Sequence, residues 1–115
     1  MMYVPKRNDI VWLDFEPTKG KEIGKYRPAL ILSHEIYNKS TGLIICCPIS
    51  TSIRGKATEV PIEGLESPSV VATTLVQTLD WRERHIKFIK QAEPQIYDEV
   101  IKRVILLLGG EHLLK

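Results

Sequence analysis

Asp9-Ile10-Val11-Trp12-Leu13-Asp14-Phe15-Glu16-Pro17-Thr18-Lys19-Gly20-Lys21-Glu22, followed by Arg27-Pro28-Ala29-Leu30-Ile31-Leu32-Ser33, decides how the chain is read. Ile10 to Phe15 is β-branched and aromatic, and it ends at Pro17 and Gly20, which is the pattern of a strand running into a turn. Pro28 to Leu32 is a continuous apolar run too short for a helix, which predicts a strand buried on both faces. Between them lies a loop holding four cations, Lys19, Lys21, Lys25 and Arg27, with Glu22 and Tyr26 among them.

Outward from this pair the strand grammar continues. Leu43 to Ile49, entered through Thr41-Gly42, predicts a third strand, and Ala57 to Ile62 and Val70 to Val76 predict a fourth and fifth around a Gly64/Pro68 loop. His85 to Lys90 alternates in part and suggests a last strand. The period then changes: Ile96, Val100, Ile101, Val104, Ile105 and Leu108 recur at helical spacing over Pro94 to Leu108. Pro94 suits a first helical turn and Gly109-Gly110 a stop, after which Glu111 to Lys115 frays or continues the helix. Short strands followed by one helix predict a mainly β fold with a C-terminal helix, a small curved β-barrel with the helix packed on it.

The 115 residues suit one domain spanning 1–115, and 43% hydrophobic with 26% charged residues is too apolar for a disordered chain. A formal net charge of +2 excludes a histone-like basic protein while leaving room for a local basic site. Cys46 and Cys47 are neighbours on an apolar strand and point to opposite faces, so they suit inert packing rather than a structural disulfide. A reducing compartment follows, and with no apolar leader and no membrane-length segment the expected location is cytoplasmic. His34, His85 and His112 are widely spaced and no metal-ligand or nucleotide-loop motif occurs, so no metal and no cofactor is expected.

Three sets of side chains suit an anionic partner. The first is the loop just described, whose cations and glycine backbone could approach a phosphodiester, with Glu22 as the base at hand and Tyr26 able to stack on an unpaired nucleobase. The second is Ser50-Thr51-Ser52-Ile53-Arg54-Gly55-Lys56 at a strand end, where hydroxyls, Arg54 and Lys56 could grip phosphate oxygens. The third is Trp81-Arg82-Glu83-Arg84, which interleaves aromatic and basic residues. Each also fits a plainer role: a solvated lysine-rich turn, a Ser/Thr turn, and a core tryptophan flanked by charges.

Taken together and in order, the opening motif pair, Tyr37-Asn38, Thr41-Gly42, Pro48-Ile49-Ser50-Thr51, Trp81-Arg82-Glu83-Arg84 and the terminal helix resemble the MazF/PemK family of toxins over about residues 8 to 109. The resemblance implies an SH3-like barrel and a homodimer. It implies a metal-independent, sequence-specific endoribonuclease (an mRNA interferase) that cuts single-stranded RNA, blocks translation and growth, and is silenced by an acidic MazE/PemI-like antitoxin. The family's functional Glu and Arg fall on Glu22 and Arg27, and its strand-end Thr falls on Ser50. The implied reaction is attack of the ribose 2′-hydroxyl on the adjacent phosphate, giving a cyclic phosphate and a 5′-hydroxyl. Lys19, Lys21, Lys25, Tyr26, Thr51, Arg54, Lys56, Arg82 and Arg84 are the RNA-binding candidates.

The chain departs from the family pattern in three places. Ser50 keeps a hydroxyl where Thr is usual, Asn8 stands where Gly is usual, and Thr74-Leu75 stands where many members carry Asp-Gln. No catalytic Asp is therefore carried over. Two other readings compete: a CcdB-like toxin that binds gyrase without cleaving, which relies on a C-terminal Trp-Gly element absent here, and an SH3-like peptide-binding module, for which the aromatics show no clear groove.

Overall fold

A computed structural model of the chain describes residues 2–17, 20, 21 and 23–114. Two of the sequence candidates, Lys19 and Glu22, lie outside the described residues. The order of elements is β1 (Asp9–Asp14), β2 (Tyr26–Ile31), α1 (Glu35–Thr41), β3 (Leu43–Ser50), β4 (Glu59–Ile62), β5 (Ser69–Ala72), β6 (Gln77–Asp80), β7 (Lys87–Gln91) and α2 (Pro94–Leu107). Single 3-10 turns follow β5 at Thr73–Leu75 and α2 at Glu111–Leu114.

The strands form one antiparallel sheet in the order β4-β5-β3-β2-β1-β7, with β6 pairing the first half of β3. The sheet curls into a half-barrel closed by α2, as the sequence pattern predicts. β3 is the central strand: Cys46, Cys47 and Pro48 pair with β2, Leu43 to Cys46 pair with β6, and Ile49 and Ser50 pair with β5. Curling lets one strand serve three neighbours, and it brings the ends of β2, β3, β4 and β5 together.

Alternation along β1 and β2 divides the core by sheet face. Ile10 and Leu30 face a cluster with Cys47, Ile49, Val60, Val71 and Val100, completed by Ile96, Tyr97, Ile101 and Val104 of α2. Val11, Leu13, Phe15, Ala29 and Ile31 face a second cluster with Ile44, Cys46 and Trp81. Each fully buried aliphatic side chain here contributes about 1.5–3 kcal/mol relative to exposure. Helix α2 opens with Pro94 in its first turn, and Gly109, at φ 71°, follows its C-terminal end. None of the described helices is long and apolar enough to cross a membrane.

Four local differences separate sequence pattern and structure, the first being that β4 begins at Glu59, with Ala57 and Thr58 of the expected strand Ala57–Ile62 in the turn before it. The expected strand Val70–Val76 stops at Ala72, because Thr73 turns inward and its hydroxyl donates to the Thr58 carbonyl. The chain resumes as β6, whose four residues are only half-covered. Helix α1 has no apolar stripe. It is held by Asn38, fully buried, whose Nδ2 donates to the carbonyls of Pro5 at 2.8 Å and Ser33 at 3.1 Å. His34 Nδ1 accepts from the Ile36 N–H at its start, and Gly42, at φ 74°, ends it where a Cβ would strike Arg82. The last strand begins at Lys87 rather than His85, which takes a left-handed φ of 53°.

Candidate functional site

The ends of β2, β3 and β5, with the loops after β1 and β3, wall a cleft of about 560 Å³. Its lining gathers Lys21, Arg27, Ser50, Thr51, Arg54 and Lys56 from two segments far apart in sequence. Thr58, Glu59, Val70 and Ala72 form its β4–β5 side, and Thr74 and Leu75 come from the turn after β5. Among the described lining residues four are cations and one, Glu59, is an anion. That excess of positive charge in a concave site favours an anionic ligand.

Arg27 sits near the start of β2, half-buried, and partial burial lowers its guanidinium from the ordinary arginine value while leaving it charged. Its Nε donates to the Gly24 carbonyl at 2.7 Å, which fixes the guanidinium by its stem. Ser50 is the last residue of β3, and its Oγ accepts the Ser52 N–H at 3.0 Å. That bond uses an acceptor lone pair, so the hydroxyl proton remains to be donated.

The loop after β3 is tethered at short intervals. The Arg54 N–H lies 3.2 Å from both carboxylate oxygens of Glu59, and the Lys56 N–H donates to the same carboxylate at 3.1 Å. Further on, the Ala57 carbonyl accepts from Arg103 Nε of α2 at 2.8 Å, and the Thr58 carbonyl from Thr73. Gly55 takes φ 71°, the one reversal in the loop that calls for glycine.

Other sequence candidates sit outside this cleft. Tyr26 stacks on Trp12 with ring centroids 5.4 Å apart, and its hydroxyl donates to the His85 carbonyl. Lys25 is exposed at φ 71°, its N–H donating to Glu16 at 2.8 Å. Arg82 donates to the Lys39 carbonyl at the end of α1 and lies over the Trp81 ring. Arg84 Nη1 donates to the carbonyls of Asp14 and Glu16 at 3.0 and 2.9 Å, bracing the end of β1. Trp81 itself is core, with Nε1 donating to the Asn38 carbonyl. Cys46 and Cys47 are buried and unpaired; burial, with Cys47 alongside, raises the Cys46 thiol, and burial pushes Cys47 up to about 12. Among the described residues no three His, Cys, Asp or Glu side chains converge as a metal site.

Sequence reasoning missed Glu59 and the small β4–β5 wall of Thr58 and Ala72. Nothing in their local pattern distinguishes them; only the pairing of β4 with β5 and β5 with β3 brings them here.

Residues 6–108 match the model of the PemK-like, MazF-like toxin of type II toxin–antitoxin systems. The chain is 35% identical over 107 residues to the endoribonuclease toxin MazF of Escherichia coli (strain K12), covering 93% of this chain and 96% of that protein. Its fold superposes on the crystal structure of MazF (form I) from Deinococcus radiodurans with TM-score 0.90 and 38% identity, over 94% of this chain and 99% of that one. A MazE–MazF complex (form II) from the same organism gives TM-score 0.82 at 34% identity, over 94% and 98% of the two chains.

Proposed function

Because the chain belongs to the PemK-like, MazF-like toxin family of type II toxin–antitoxin systems, we propose that this endoribonuclease toxin cuts single-stranded RNA at the cationic cleft, without a metal, by attack of the substrate's own 2′-hydroxyl. The observation that supports this most is the meeting of Arg27 and Ser50 with Lys21, Arg54 and Lys56 in one concave site.

In this reading the 2′-oxygen forms a bond to phosphorus as its proton passes to Glu22. The P–O5′ bond breaks, and the departing 5′-oxygen takes up a proton from water, leaving a 2′,3′-cyclic phosphate and a 5′-hydroxyl. Negative charge builds on the phosphorane oxygens, where the forked guanidinium of Arg27 stabilises it. The Ser50 hydroxyl donates to a phosphate oxygen. Lys21, Arg54, Lys56 and Thr51 hold neighbouring phosphates, and Lys19, Lys25, Tyr26, Arg82 and Arg84 serve the flanking path of the strand. A nucleophile supplied by the substrate predicts that DNA, lacking the 2′-hydroxyl, is left uncut.

The same reading takes residues 1–115 as one toxin domain acting in the cytoplasm as a homodimer. The exposed leucines 106, 107 and 108 at the end of α2, with Leu113 and Leu114 beyond it, offer apolar surface for a second copy. Its partner is an acidic MazE/PemI-like antitoxin, as the MazE–MazF complex of a relative suggests, whose anionic tail would compete with RNA for the cleft. Incubation with a long single-stranded RNA in excess EDTA tests the reading: fragments are expected from the wild type and nearly none from Arg27→Ala. Intact RNA with excess wild-type protein would reject it.

A further inference from the structure

We propose that Glu59, the one carboxylate among the described residues of a cationic cleft, is a positioning residue for RNA: it holds Arg54 and Lys56 where they meet the phosphates. The proposal rests on the endoribonuclease reading above and adds to it a residue that touches no substrate.

Electrostatics alone assigns Glu59 the opposite role. A carboxylate beside Lys21, Arg27, Arg54 and Lys56 repels a polyanion, so its loss should tighten RNA binding. The geometry points the other way. Both oxygens are engaged by backbone N–H groups, at 3.2 and 3.2 Å from Arg54 and 3.1 Å from Lys56, and the Glu59 N–H donates back to the Lys56 carbonyl at 3.0 Å. Charge-assisted bonds of this kind are stronger than neutral ones. They close a short loop around Gly55 and fix the backbone of the two residues whose cationic side chains line the cleft.

The tether is local. The segment before it is fixed by Ser52 N–H on Ser50 Oγ, and the segment after it by Arg103 on the Ala57 carbonyl and Thr73 on the Thr58 carbonyl. Glu59 is also half-exposed and paired through its backbone to Ala72 in the β4–β5 ladder, which a side-chain change leaves intact. Loss of the carboxylate therefore frees residues 54–56 and little else.

Glu59→Gln and Glu59→Ala remove the same charge, but Gln keeps an oxygen that can still accept from Arg54 or Lys56. Each variant is compared with the wild type for thermal melting, for cleavage kinetics on one single-stranded RNA, and for salt dependence of binding to the same RNA carrying 2′-deoxyribose at the cut position. Positioning is expected to raise KM on the order of tenfold in Glu59→Ala and severalfold in Glu59→Gln, with kcat changed less than twofold. The salt slope of Glu59→Ala should become shallower by about 0.7 for each phosphate that the freed loop no longer holds. Equal or tighter binding by both variants overturns the positioning role and assigns Glu59 to electrostatic repulsion. A parallel fall in melting temperature and kcat with KM unchanged overturns it in favour of a purely structural role. Wild-type protein that leaves every RNA intact overturns the endoribonuclease reading itself, and the positioning role with it.

Discussion

Arg27 near the start of β2 and Ser50 at the end of β3 line one cleft. The β2–β3 ladder ends with Ala29 opposite Pro48; Arg27 and Ser50 each lie two residues beyond that pair, where Ser50 pairs with Val70 of β5. The divergence of β3 from β2 toward β5 thus leaves a guanidinium and a hydroxyl lining one cleft from positions separated in sequence. A slip of one residue would turn Ser50 to the opposite face.

The hydroxyl at position 50 is expected to matter through its proton. Ser50→Ala removes the donor and the acceptor of the Ser52 N–H, and should lower kcat/KM on the order of tenfold to a hundredfold, while Ser50→Thr should retain most activity. Initial rates on a short fluorogenic RNA measure both. Equal rates for Ala and wild type would remove Ser50 from the site.

The proposed contacts of Lys21, Arg54 and Lys56 with phosphates predict that RNA affinity falls steeply with salt. Each of Lys21→Ala and Lys56→Ala is expected to weaken binding similarly for different sequences and to make the slope of log K against log salt shallower by about 0.7. Fluorescence anisotropy with an uncleavable oligonucleotide at several salt concentrations reads this directly.

Asn38 is the structural centre of α1. Asn38→Ala strands the Pro5 and Ser33 carbonyls and the Ser33 hydroxyl, and should cost about 3 kcal/mol in urea unfolding without changing the cleavage site.

Burial raises the thiols of Cys46 and Cys47, and burial with Asp9 alongside raises the Tyr3 hydroxyl. The sign follows from proton counting: above the ordinary thiol value of about 8.5 the unfolded chain releases protons that the folded chain keeps, so stability falls as pH rises. A melting temperature flat up to about pH 8.5 and declining above it is expected. Neither thiol should react with a thiol-specific dye at pH 8 until urea is added. Prompt modification of the native protein would contradict the burial.

Much of this was legible in the sequence because it was written in apolar runs. β1, β2, β3 and α2 begin and end within about two residues of where side-chain pattern places them. Helix α1 was not, since its anchor is one buried amide rather than a stripe, and β6 was hidden because Thr73 ends the preceding strand through a hydroxyl bond to a carbonyl fifteen residues away. The cationic residues of the cleft were readable as two basic loops, but their meeting depends on strand register. Tyr26, Arg82 and Arg84 fitted an RNA-binding composition equally well; they stand outside the cleft and also brace the sheet and α1, a second role that only their hydrogen bonds reveal.

The most direct test of the proposed chemistry uses one RNA oligonucleotide containing a mapped cut site, and the same oligonucleotide with a single 2′-deoxyribose on the 5′ side of that phosphate, both in excess EDTA. The all-ribose strand should be cut to a 2′,3′-cyclic phosphate and a 5′-hydroxyl, identified by mass, and the 2′-deoxy strand should stay intact at that position. Cleavage of the 2′-deoxy strand at the same phosphate, or a 5′-phosphate product, would contradict attack by the substrate's own hydroxyl.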